Sequence, residues 1–360
     1  MKILVIYATA GAGHRKAAEA VYNRLQSTSH QTTFVDSLDY TSAFYKAMYS
    51  GTYTFMISRM PWFWGLMFGL LDVSFLLPVV RFCRRVTNVI NGRRLQDYLK
   101  KEQFDYIIST HFFPNEVAGY LKRTGAIRST VISCVTDFDV HSIWLADGID
   151  LYAVASGWTR DKVKGLGVPE EKIRVTGIPT DKKFSAVRDL PSLRRQLGLQ
   201  EGHFTVLVAT GSFGIGPIEE IIDALTGFQV IVVCGHNKSL YEKLSGQEKP
   251  LVKICGLVNN MDELMAVSDA MVTKPGGLST SEALVSGLAL IFFSAIPGQE
   301  TNNIKVLKHY GLGISGCSIP EMARILENYK TSPKELKAVQ ERTRELARPA
   351  AVDDIIKLIQ

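Results

Sequence analysis

The sequence predicts an α/β protein built from two doubly wound domains. Short apolar runs, typical of parallel strands covered on both faces, alternate along the chain with segments of helical periodicity. A glycine-rich turn joins a strand to a helix in each half, at residues 9–14 and 211–217. The length of 360 residues favours two domains of roughly 150–200 residues over a single core.

The apolar runs set the expected order of the strands. They lie at residues 2–8, 104–110, 129–135, 151–155, 172–176, 205–210, 230–234, 252–255, 270–273 and 288–293. Gly177-Ile178-Pro179 ends the first half, and the stretch after it, which contains Pro191, has the composition of a linker. We therefore expect domains at residues 1–180 and 181–340, with a C-terminal helix at 341–360.

Composition limits the class of protein and its compartment. Hydrophobic residues make up 46% of the chain and charged residues 21%, as in a globular protein. The net charge of +6 is compatible with an anionic membrane surface or a phosphorylated substrate. The five cysteines show no metal-ligand spacing, and Cys134, Cys234 and Cys255 lie in or near apolar runs, which indicates core residues in a reducing compartment. The chain opens directly into a strand, so we expect no signal peptide.

The stretch from Thr273 to Asn303 has the organisation of a ligand site. The strand ending at Thr273 runs into Gly276 and Gly277, where paired glycines permit a tight turn and close approach of a ligand. The helix that follows has capping candidates at Ser279, Thr280 and Ser281. Free N–H groups at a helix start suit a phosphate. Glu282, expected in the first turn, is placed to accept hydrogen bonds from ribose hydroxyls.

His14 ends the N-terminal glycine turn, Gly11-Ala12-Gly13-His14, and begins a helix. The positive end of a helix lowers the pKa of a histidine, which leaves a neutral ring able to accept a proton at pH 7. His14 is therefore a candidate general base, and the alternative is a polar residue at a helix start without chemistry. The turn lacks the third glycine of the dinucleotide fingerprint, which argues against NAD.

Residues 61–80 form an apolar segment with one charge, Asp72, and are long enough for a membrane span. Asp72 near the centre opposes insertion, and a span would separate His14 from the Gly276 turn. We therefore predict an interfacial segment, with a buried core helix or a partner surface as the alternative. The residues expected at the lipid headgroups are aromatics followed by arginines: Trp62, Phe63, Trp64, Arg81, Arg84 and Arg85.

Two motifs in the second half resemble those of a known family. Gly-Gly-x-x-x-x-Glu from Gly276, followed by Pro-Gly-Gln-x-x-Asn from Pro297, resembles the donor site of UDP-sugar glycosyltransferases with the GT-B fold. The resemblance is to the monogalactosyldiacylglycerol synthase and diacylglycerol glucosyltransferase family (glycosyltransferase family 28), then to the N-acetylglucosaminyl transferase of peptidoglycan synthesis. It implies two Rossmann-like domains facing across a cleft, the first binding acceptor and membrane and the second binding the UDP-sugar.

The resemblance also implies roles for residues of the second half. Uracil is expected against Val258 and ribose on Glu282. The expected diphosphate contacts are Gly211, Ser212, Phe213, Lys274, Gly276, Gly277, Ser279 and Thr280. The expected contacts of the sugar hydroxyls are Gln299, Glu300 and Asn303. The sequence departs from most relatives at Asp181, where they carry a diphosphate-binding arginine; whether Lys182 or Lys183, which follow it, replaces that arginine stays open.

In the first half, the resemblance makes His14, preceded by Gly13, the catalytic base. Asp137-Phe138-Asp139 matches a short metal-binding pattern of another glycosyltransferase fold, and His141 is a conceivable third ligand. The surrounding residues instead resemble the acceptor pocket of the glycolipid synthases, which includes His141 and Trp144, so we predict no metal site. Asp137 is predicted as a second catalytic residue that orients His14.

The function implied by the resemblance is inverting, metal-independent transfer of a hexose, with glucose favoured, from a UDP-sugar to diacylglycerol. The enzyme is expected as a peripheral protein at the cytoplasmic face of the cell membrane, with the UDP-sugar as co-substrate, no cofactor and no nucleic-acid partner. Three alternatives are transfer of N-acetylglucosamine to a prenyl-diphosphate lipid, epimerisation of a UDP-sugar, and a non-catalytic membrane-bound UDP-sugar sensor. Glucose or galactose, processivity and the oligomeric state stay open.

Overall fold

The computed structural model describes residues 1–9, 11–73, 75–211, 214–247 and 249–359, and within these all side chains except those of residues 50, 53, 54, 57 and 58. The chain divides into two compact units. Unit 1 comprises Met1–Asp181, Ile296–Asn303 and Ala350–Gln360, and unit 2 comprises Lys182–Ala295 and Ile304–Pro349. Residues 296–303, expected in the second domain, thus lie in unit 1.

The core of unit 1 is a parallel six-stranded sheet with the order β2-β1-β3-β4-β5-β6. Its strands are β1 (Lys2–Tyr7), β2 (Gln31–Asp36), β3 (Tyr106–Ser109), β4 (Thr130–Cys134), β5 (Leu151–Val154) and β6 (Ile173–Val175). The sequence predicts each of these strands except β2. The strand order reverses between β1 and β3, which makes their carboxyl ends the topological switch point of this sheet.

Unit 2 repeats the plan, with a parallel six-stranded sheet of order β12-β11-β10-β7-β8-β9. Its strands are β7 (Thr205–Ala209), β8 (Gln229–Val233), β9 (Val252–Cys255), β10 (Ala270–Thr273), β11 (Ala289–Phe292) and β12 (Ile314–Ser315). All but β12 are predicted from the sequence. The switch point lies between β7 and β10. The expected fold class, two doubly wound α/β units, is confirmed.

Helices connect the strands of both sheets. They are α1 (Ala12–Leu25), α2 (Ala43–Arg59), α3 (Pro61–Leu70), α4 (Leu77–Asn91), α5 (Arg93–Glu102), α6 (Phe112–Arg123), α7 (Gly157–Gly165), α8 (Leu190–Gln196), α9 (Ile218–Ala224), α10 (Lys238–Ser245), α11 (Met261–Ala266), α12 (Gly277–Val285), α13 (Gln299–His309), α14 (Ile319–Thr331), α15 (Pro333–Leu346) and α16 (Ala351–Ile356). Short 3-10 turns occur at Ser37–Tyr40, Ser142–Trp144, Glu170–Lys172 and Lys182–Ser185.

Alternation along β1 explains why the sheet of unit 1 carries helices on both faces. Leu4 and Ile6 join a core cluster on one face, whereas Ile3 and Val5 join a cluster on the other. All four side chains are fully buried. A strand whose successive side chains are both apolar buries both of its faces, so the run is continuous in sequence rather than alternating with polar residues.

The apolar segment 61–80 is not a single helix. Pro61 starts α3, which ends at Leu70, and α4 begins at Leu77. None of the α3 residues is fully buried. Within the part of the chain that the structure describes, no helix combines the length and hydropathy needed to cross a membrane.

The C-terminal segment is divided between the two units. Helix α15 packs in unit 2, on α12 and β11, whereas α16 packs on α1 in unit 1. Ile355 is fully buried in the cluster that contains Ile3 and Val5, and Arg24 Nε donates to Asp353 Oδ1 over 2.6 Å. The last helix therefore completes the core of unit 1.

This packing predicts a large loss of stability from one substitution. Ile355→Ala should lower the free energy of unfolding by about 2–5 kcal/mol, because it removes buried methylene groups and leaves a cavity. Denaturant unfolding of the whole protein measures the change. The exposed neighbour Lys357 supplies the control, since Lys357→Ala should change stability by about 0.5 kcal/mol or less. Equal effects of the two substitutions would contradict the docking of α16 as a part of the core.

Candidate active site

Three adjacent strands of unit 1 bring polar side chains together at their carboxyl ends. His14 follows β1, Thr110 and His111 follow β3, and Thr136 and Asp137 follow β4. Because these strands are parallel neighbours, the three loops that leave them emerge at one edge of the sheet. This edge is the candidate acceptor-side site.

The position of His14 is determined by hydrogen bonds to the neighbouring loops. Helix α1 begins at Ala12 after Gly11, whose φ of 97° is costly for any residue but glycine, and His14 is its third residue. His14 Nδ1 lies 2.9 Å from the Thr110 carbonyl oxygen and 3.0 Å from Thr136 Oγ1, and Thr110 Oγ1 donates to the His14 carbonyl over 2.8 Å. A carbonyl oxygen only accepts, so Nδ1 carries the proton and Nε2 carries the lone pair.

Burial holds His14 in its neutral form. It lowers the pKa of His14 to about 4, and the hydrogen bond to the Thr110 carbonyl opposes this shift only in part. The sequence predicted a lowered pKa from the helix end, and the structure confirms the direction but gives desolvation as the main cause. A neutral ring with a lone pair on Nε2 is the state that a general base requires at pH 7.

Asp137 has partners other than His14. Its carboxylate accepts hydrogen bonds from Gln299 Nε2 at 2.7 Å and from Asn303 Nδ2 at 3.4 Å. Burial raises the pKa of Asp137, and hydrogen bonds from Gln299, Asn303 and Trp144 oppose that shift. We predicted that Asp137 orients His14. In the structure, Thr110 and Thr136 make the hydrogen-bond contacts with His14 Nδ1 instead.

The side-chain hydrogen bonds of Gln299 and Asn303 tie residues 296–303 to the rest of unit 1. Asn303 Oδ1 accepts from the backbone N–H groups of Phe138 at 2.9 Å and Asp139 at 3.1 Å. Glu300 Oε2 accepts from Ile296 N at 2.7 Å and closes its own loop. Gln299, Glu300 and Asn303, predicted to hold sugar hydroxyls, thus make protein contacts within unit 1, and their role toward a sugar stays a prediction.

His141 and Trp144, predicted for the acceptor pocket, are both buried. His141 Nε2 donates to the Phe68 carbonyl over 2.9 Å, while Nδ1 accepts from Ile143 N at 3.0 Å. Burial lowers the pKa of His141, and the Asp72 carboxylate opposes this shift. The ring centroids of Trp144 and His14 lie 5.9 Å apart. The apolar α3 therefore contacts the candidate acceptor side through Phe68.

The three arginines predicted for the membrane have different environments. Arg84 pairs with the buried Glu116 and donates to the Leu145 carbonyl over 2.7 Å. The side chain of Arg84 is only 11% exposed, so its prediction as a headgroup contact is wrong, because a buried glutamate needs a cationic partner. Arg85 pairs with Asp147 at the surface. Arg81 is half-buried, and its Nε has no hydrogen-bond partner among the described residues.

The predicted donor residues of unit 2 also follow strands at one edge of a sheet. Gly211 follows β7 with a φ of 85°, Val258 follows β9, and Lys274 follows β10. Ser212 and Phe213, predicted for the diphosphate, lie outside the described residues. Gly214 approaches the next strand end so closely that a Cβ there would lie 2.4 Å from the Cys234 carbonyl oxygen. Only glycine permits this path.

Helix α12 begins two residues earlier than the predicted caps. Gly276 is its N-cap, and no side chain caps its first turn. The capping prediction for Ser279, Thr280 and Ser281 is therefore wrong, and Ser281 Oγ instead donates to the Gly277 carbonyl over 3.0 Å. Glu282, half-buried, lies in the second turn rather than the first. A helix start without a side-chain cap leaves N–H groups suited to an anion.

Two buried hydroxyls lie at these strand ends. Thr210 directly follows β7, and Thr280 lies in the first turn of α12. Both residues are buried, and neither Oγ1 has a hydrogen-bond partner among the described residues. A buried hydroxyl without a partner costs free energy, so each is suited to a polar ligand atom. Lys183, considered as a substitute for the arginine missing at Asp181, pairs with Asp262 at 3.1 Å.

Sequence reasoning missed four residues of these sites: Thr110, His111, Thr136 and Thr210. Each directly follows, or lies within two residues of, the end of a strand. Position at the carboxyl end of a predicted strand was the available signal. Within the described residues there is no group of three histidine, cysteine, aspartate or glutamate side chains arranged to hold a metal ion.

The buried histidines predict how stability depends on pH. The pKa of His111 is held well below its usual value of 6.5 by burial and by the neighbouring His14. The unfolded chain therefore binds more protons below about pH 6.5, and the free energy of unfolding falls as the pH decreases through that value. His111→Asn should reduce this slope by up to about 1.4 kcal/mol per pH unit. Urea unfolding of both proteins between about pH 6.5 and 5 measures it.

The comparison of slopes cancels groups whose surroundings are the same in both proteins. An asparagine also accepts a hydrogen bond at a helix N-cap, so the start of α6 keeps its partner in the variant. Identical slopes in the two proteins would show that His111 is not held neutral in the folded state.

Comparisons with known proteins identify the family. The model of the monogalactosyldiacylglycerol (MGDG) synthase family matches residues 14–180. The processive diacylglycerol beta-glucosyltransferase of Bacillus pumilus (strain SAFR-032) is 30% identical over 327 residues, which cover 87% of this chain and 82% of that protein. The protein of the same name from Staphylococcus epidermidis (strain ATCC 12228 / FDA PCI 1200) is 28% identical over 352 residues, which cover 94% of this chain and 87% of that protein.

A solved structure supports the fold. MurG of Acinetobacter baumannii superposes with a TM-score of 0.63 and 16% identity, covering 100% of this chain and 99% of that one. An identity this low shows the architecture alone. The chain thus has the GT-B fold and belongs to the glycosyltransferase family of the monogalactosyldiacylglycerol synthases and diacylglycerol glucosyltransferases.

Proposed function

We propose that this glycosyltransferase transfers a hexose, with glucose favoured, from a UDP-sugar to diacylglycerol, inverting the anomeric centre without a metal ion or other cofactor. The observation that carries the proposal is the geometry of His14, whose Nδ1–H is directed to the Thr110 carbonyl so that Nε2 holds the lone pair. The names of both relatives, diacylglycerol beta-glucosyltransferases, support the acceptor and the sugar.

The chemical step needs a base because an alcohol hydroxyl is a weak nucleophile at pH 7. His14 Nε2 takes the proton of the acceptor hydroxyl while the oxygen attacks the anomeric carbon in line with the departing UDP. Attack from the face opposite the leaving group inverts that centre. The imidazolium that forms is stabilised by the contacts of its Nδ1–H with the Thr110 carbonyl and Thr136 Oγ1.

Departing UDP gains negative charge, which residues of unit 2 neutralise. The N–H groups at the start of α12, where no side chain caps the helix, would donate to the diphosphate, and Lys274 lies just before that start. The hydroxyls of Thr210 and Thr280 complete the diphosphate contacts in this proposal, and Glu282 accepts from the ribose. These oriented donors perform the electrostatic work that a metal ion performs in other transferases.

Exposed apolar side chains on two helices of unit 1 support peripheral binding to a membrane. Trp62 and Leu66 on α3 are 66% and 54% exposed, and Val79 and Phe82 on α4 are 62% and 65% exposed. Val86 and Ile90 continue the α4 face with helical spacing. We call this set of α3 and α4 side chains the apolar face. Phe63 and Trp64 are half-buried beside it.

Positive charge accompanies the apolar face. Arg93 and Arg94, at the start of α5, are exposed and follow α4 directly. Exposed apolar side chains together with arginines are the composition of proteins that bind anionic lipid surfaces. The enzyme in this proposal binds the cytoplasmic face of the cell membrane, where diacylglycerol is presented to His14 and the free cysteines stay reduced.

The reaction itself tests the proposal. Purified protein with diacylglycerol in anionic liposomes and labelled UDP-glucose should form a glycolipid, and His14→Ala should lower turnover on the order of 10²–10⁴-fold by removing the base. UDP binding, measured by calorimetry, should be unchanged in His14→Ala. The reciprocal control is Glu282→Ala, which should weaken UDP binding by about 1.5–3 kcal/mol.

Three outcomes would contradict parts of the proposal. Product only with a prenyl-diphosphate lipid would replace diacylglycerol as the acceptor. Tight UDP-sugar binding without turnover toward any lipid would indicate a sensor. Near-normal turnover in a folded His14→Ala protein would remove His14 as the base.

The apolar face predicts a second result. Replacing Val79 and Phe82 with serine should reduce sedimentation with anionic liposomes, because each large side chain that enters the lipid contributes up to about 1.5–3 kcal/mol. UDP affinity should stay unchanged, and binding should weaken as salt is raised. Val187→Ser, a fully exposed apolar residue of unit 2, is the matched control. Equal liposome binding by the unchanged protein, the double variant and Val187→Ser would rule out this face as the membrane contact.

A further inference from the structure

His111 lies beside the candidate base and has no role in the proposed function so far. It follows β3 immediately after Thr110, the residue whose carbonyl accepts from His14 Nδ1. We propose that His111 is a positioning residue for His14, in that its ring packs against the His14 ring and holds it in the orientation that presents Nε2. This inference rests on the proposed function, because it assumes that His14 is the base.

The His111 ring is itself held in one orientation. His111 is the N-cap of α6, and its Nδ1 accepts the backbone N–H of Phe113 at 3.1 Å. Nδ1 therefore carries a lone pair, and the neutral ring carries its proton on Nε2. With 1% of its surface exposed, the residue has little freedom to rotate. A ring that is bound to a helix start and closely packed is suited to support a neighbouring ring.

The two rings are in edge-to-face contact. Their centroids lie 4.7 Å apart with an interplanar angle of 84°. Trp144 contacts the same pair, with its ring centroid 5.9 Å from that of His14 and 6.5 Å from that of His111. Hydrogen bonds to Thr110 and Thr136 locate Nδ1 of His14, and the neighbouring rings add to them by restricting rotation of the imidazole about its Cβ–Cγ bond. His111 supplies the nearer of the two described ring contacts of His14.

The surroundings of the pair contain few other groups that titrate. The ring centroid of His111 lies 4.1 Å from that of Phe112, in the helix that follows, and 6.1 Å from that of Tyr49, in α2. Asp137, on the neighbouring loop, accepts from Gln299 and Asn303. Among the described ring contacts of His14 and His111, the titratable partners are therefore each other and Tyr49. Removing the His111 ring admits water to the His14 ring and weakens the desolvation that keeps it neutral.

Two substitutions separate ring packing from helix capping. His111→Asn keeps an acceptor for Phe113 N but loses the ring, whereas His111→Phe keeps a ring of similar size but loses the acceptor. We expect His111→Asn to lower kcat on the order of 10–100-fold, the effect of a misplaced catalytic group, with KM for UDP-glucose unchanged. The acidic limb of its kcat/KM profile should move to higher pH, because His14 is then better hydrated. His111→Phe should keep both turnover and acidic limb but melt at a lower temperature.

The pKa of His14, followed by NMR of labelled histidine, gives a readout independent of turnover. His30→Asn is the control, because it removes a histidine from the turn before β2, outside the site. Unchanged kcat and an unchanged acidic limb in His111→Asn would overturn the inference. Equal loss of activity in His111→Asn and His111→Phe would also overturn it, since the Nε2–H rather than ring packing would then matter. Should His14→Ala retain turnover, the proposed function fails instead, whatever His111 does.

Discussion

The hydrogen bond between His14 Nδ1 and the Thr110 carbonyl is the interaction on which the candidate chemistry depends. It assigns the proton to one ring nitrogen and the lone pair to the other, and it joins the loop after β1 to the loop after β3. A helix start alone would leave the ring free to rotate and free to exchange tautomers. Burial then keeps the ring neutral, so tautomer and charge state are set by separate physical causes.

Parallel pairing within each sheet explains why the sites form where they do. In unit 1, β1, β3 and β4 are neighbours, so residues far apart in sequence meet at their carboxyl ends. In unit 2, the switch point between β7 and β10 places Thr210 and the start of α12 at adjacent strand ends. The same rule of chain topology thus gives one unit a base and the other an anion site.

The cost of burying polar groups explains the corrected predictions. Arg84 was expected at the lipid surface because charge was counted along the sequence, but its side chain neutralises the buried Glu116. Gln299 and Asn303, together with Trp144, donate hydrogen bonds to Asp137, which satisfies a carboxyl group buried in the interior. These amides tie residues 296–303 to unit 1, although the sequence places that segment after a strand of unit 2.

The sequence by itself determined the fold class, most strands of both sheets, the family motifs and the candidate base His14. Continuous apolar runs and glycine turns are local signals, so they are readable without contacts. The edge strand β2 was missed because its first residues, Gln31 to Thr33, are polar and partly exposed, and β12 has only two residues. The start of α12 was misplaced because serine and threonine favour N-caps, whereas Gly276 takes that position here.

Only the tertiary structure decided which side chains meet. No sequence motif connects Thr110, His111 or Thr136 with His14, and their proximity to it follows from strand order. Strand order, burial and pairing of charges depend on contacts between residues distant in the chain. The physical reason is that a tautomer, a pKa or an ion pair belongs to an environment, and that environment exists only when the sheet has assembled.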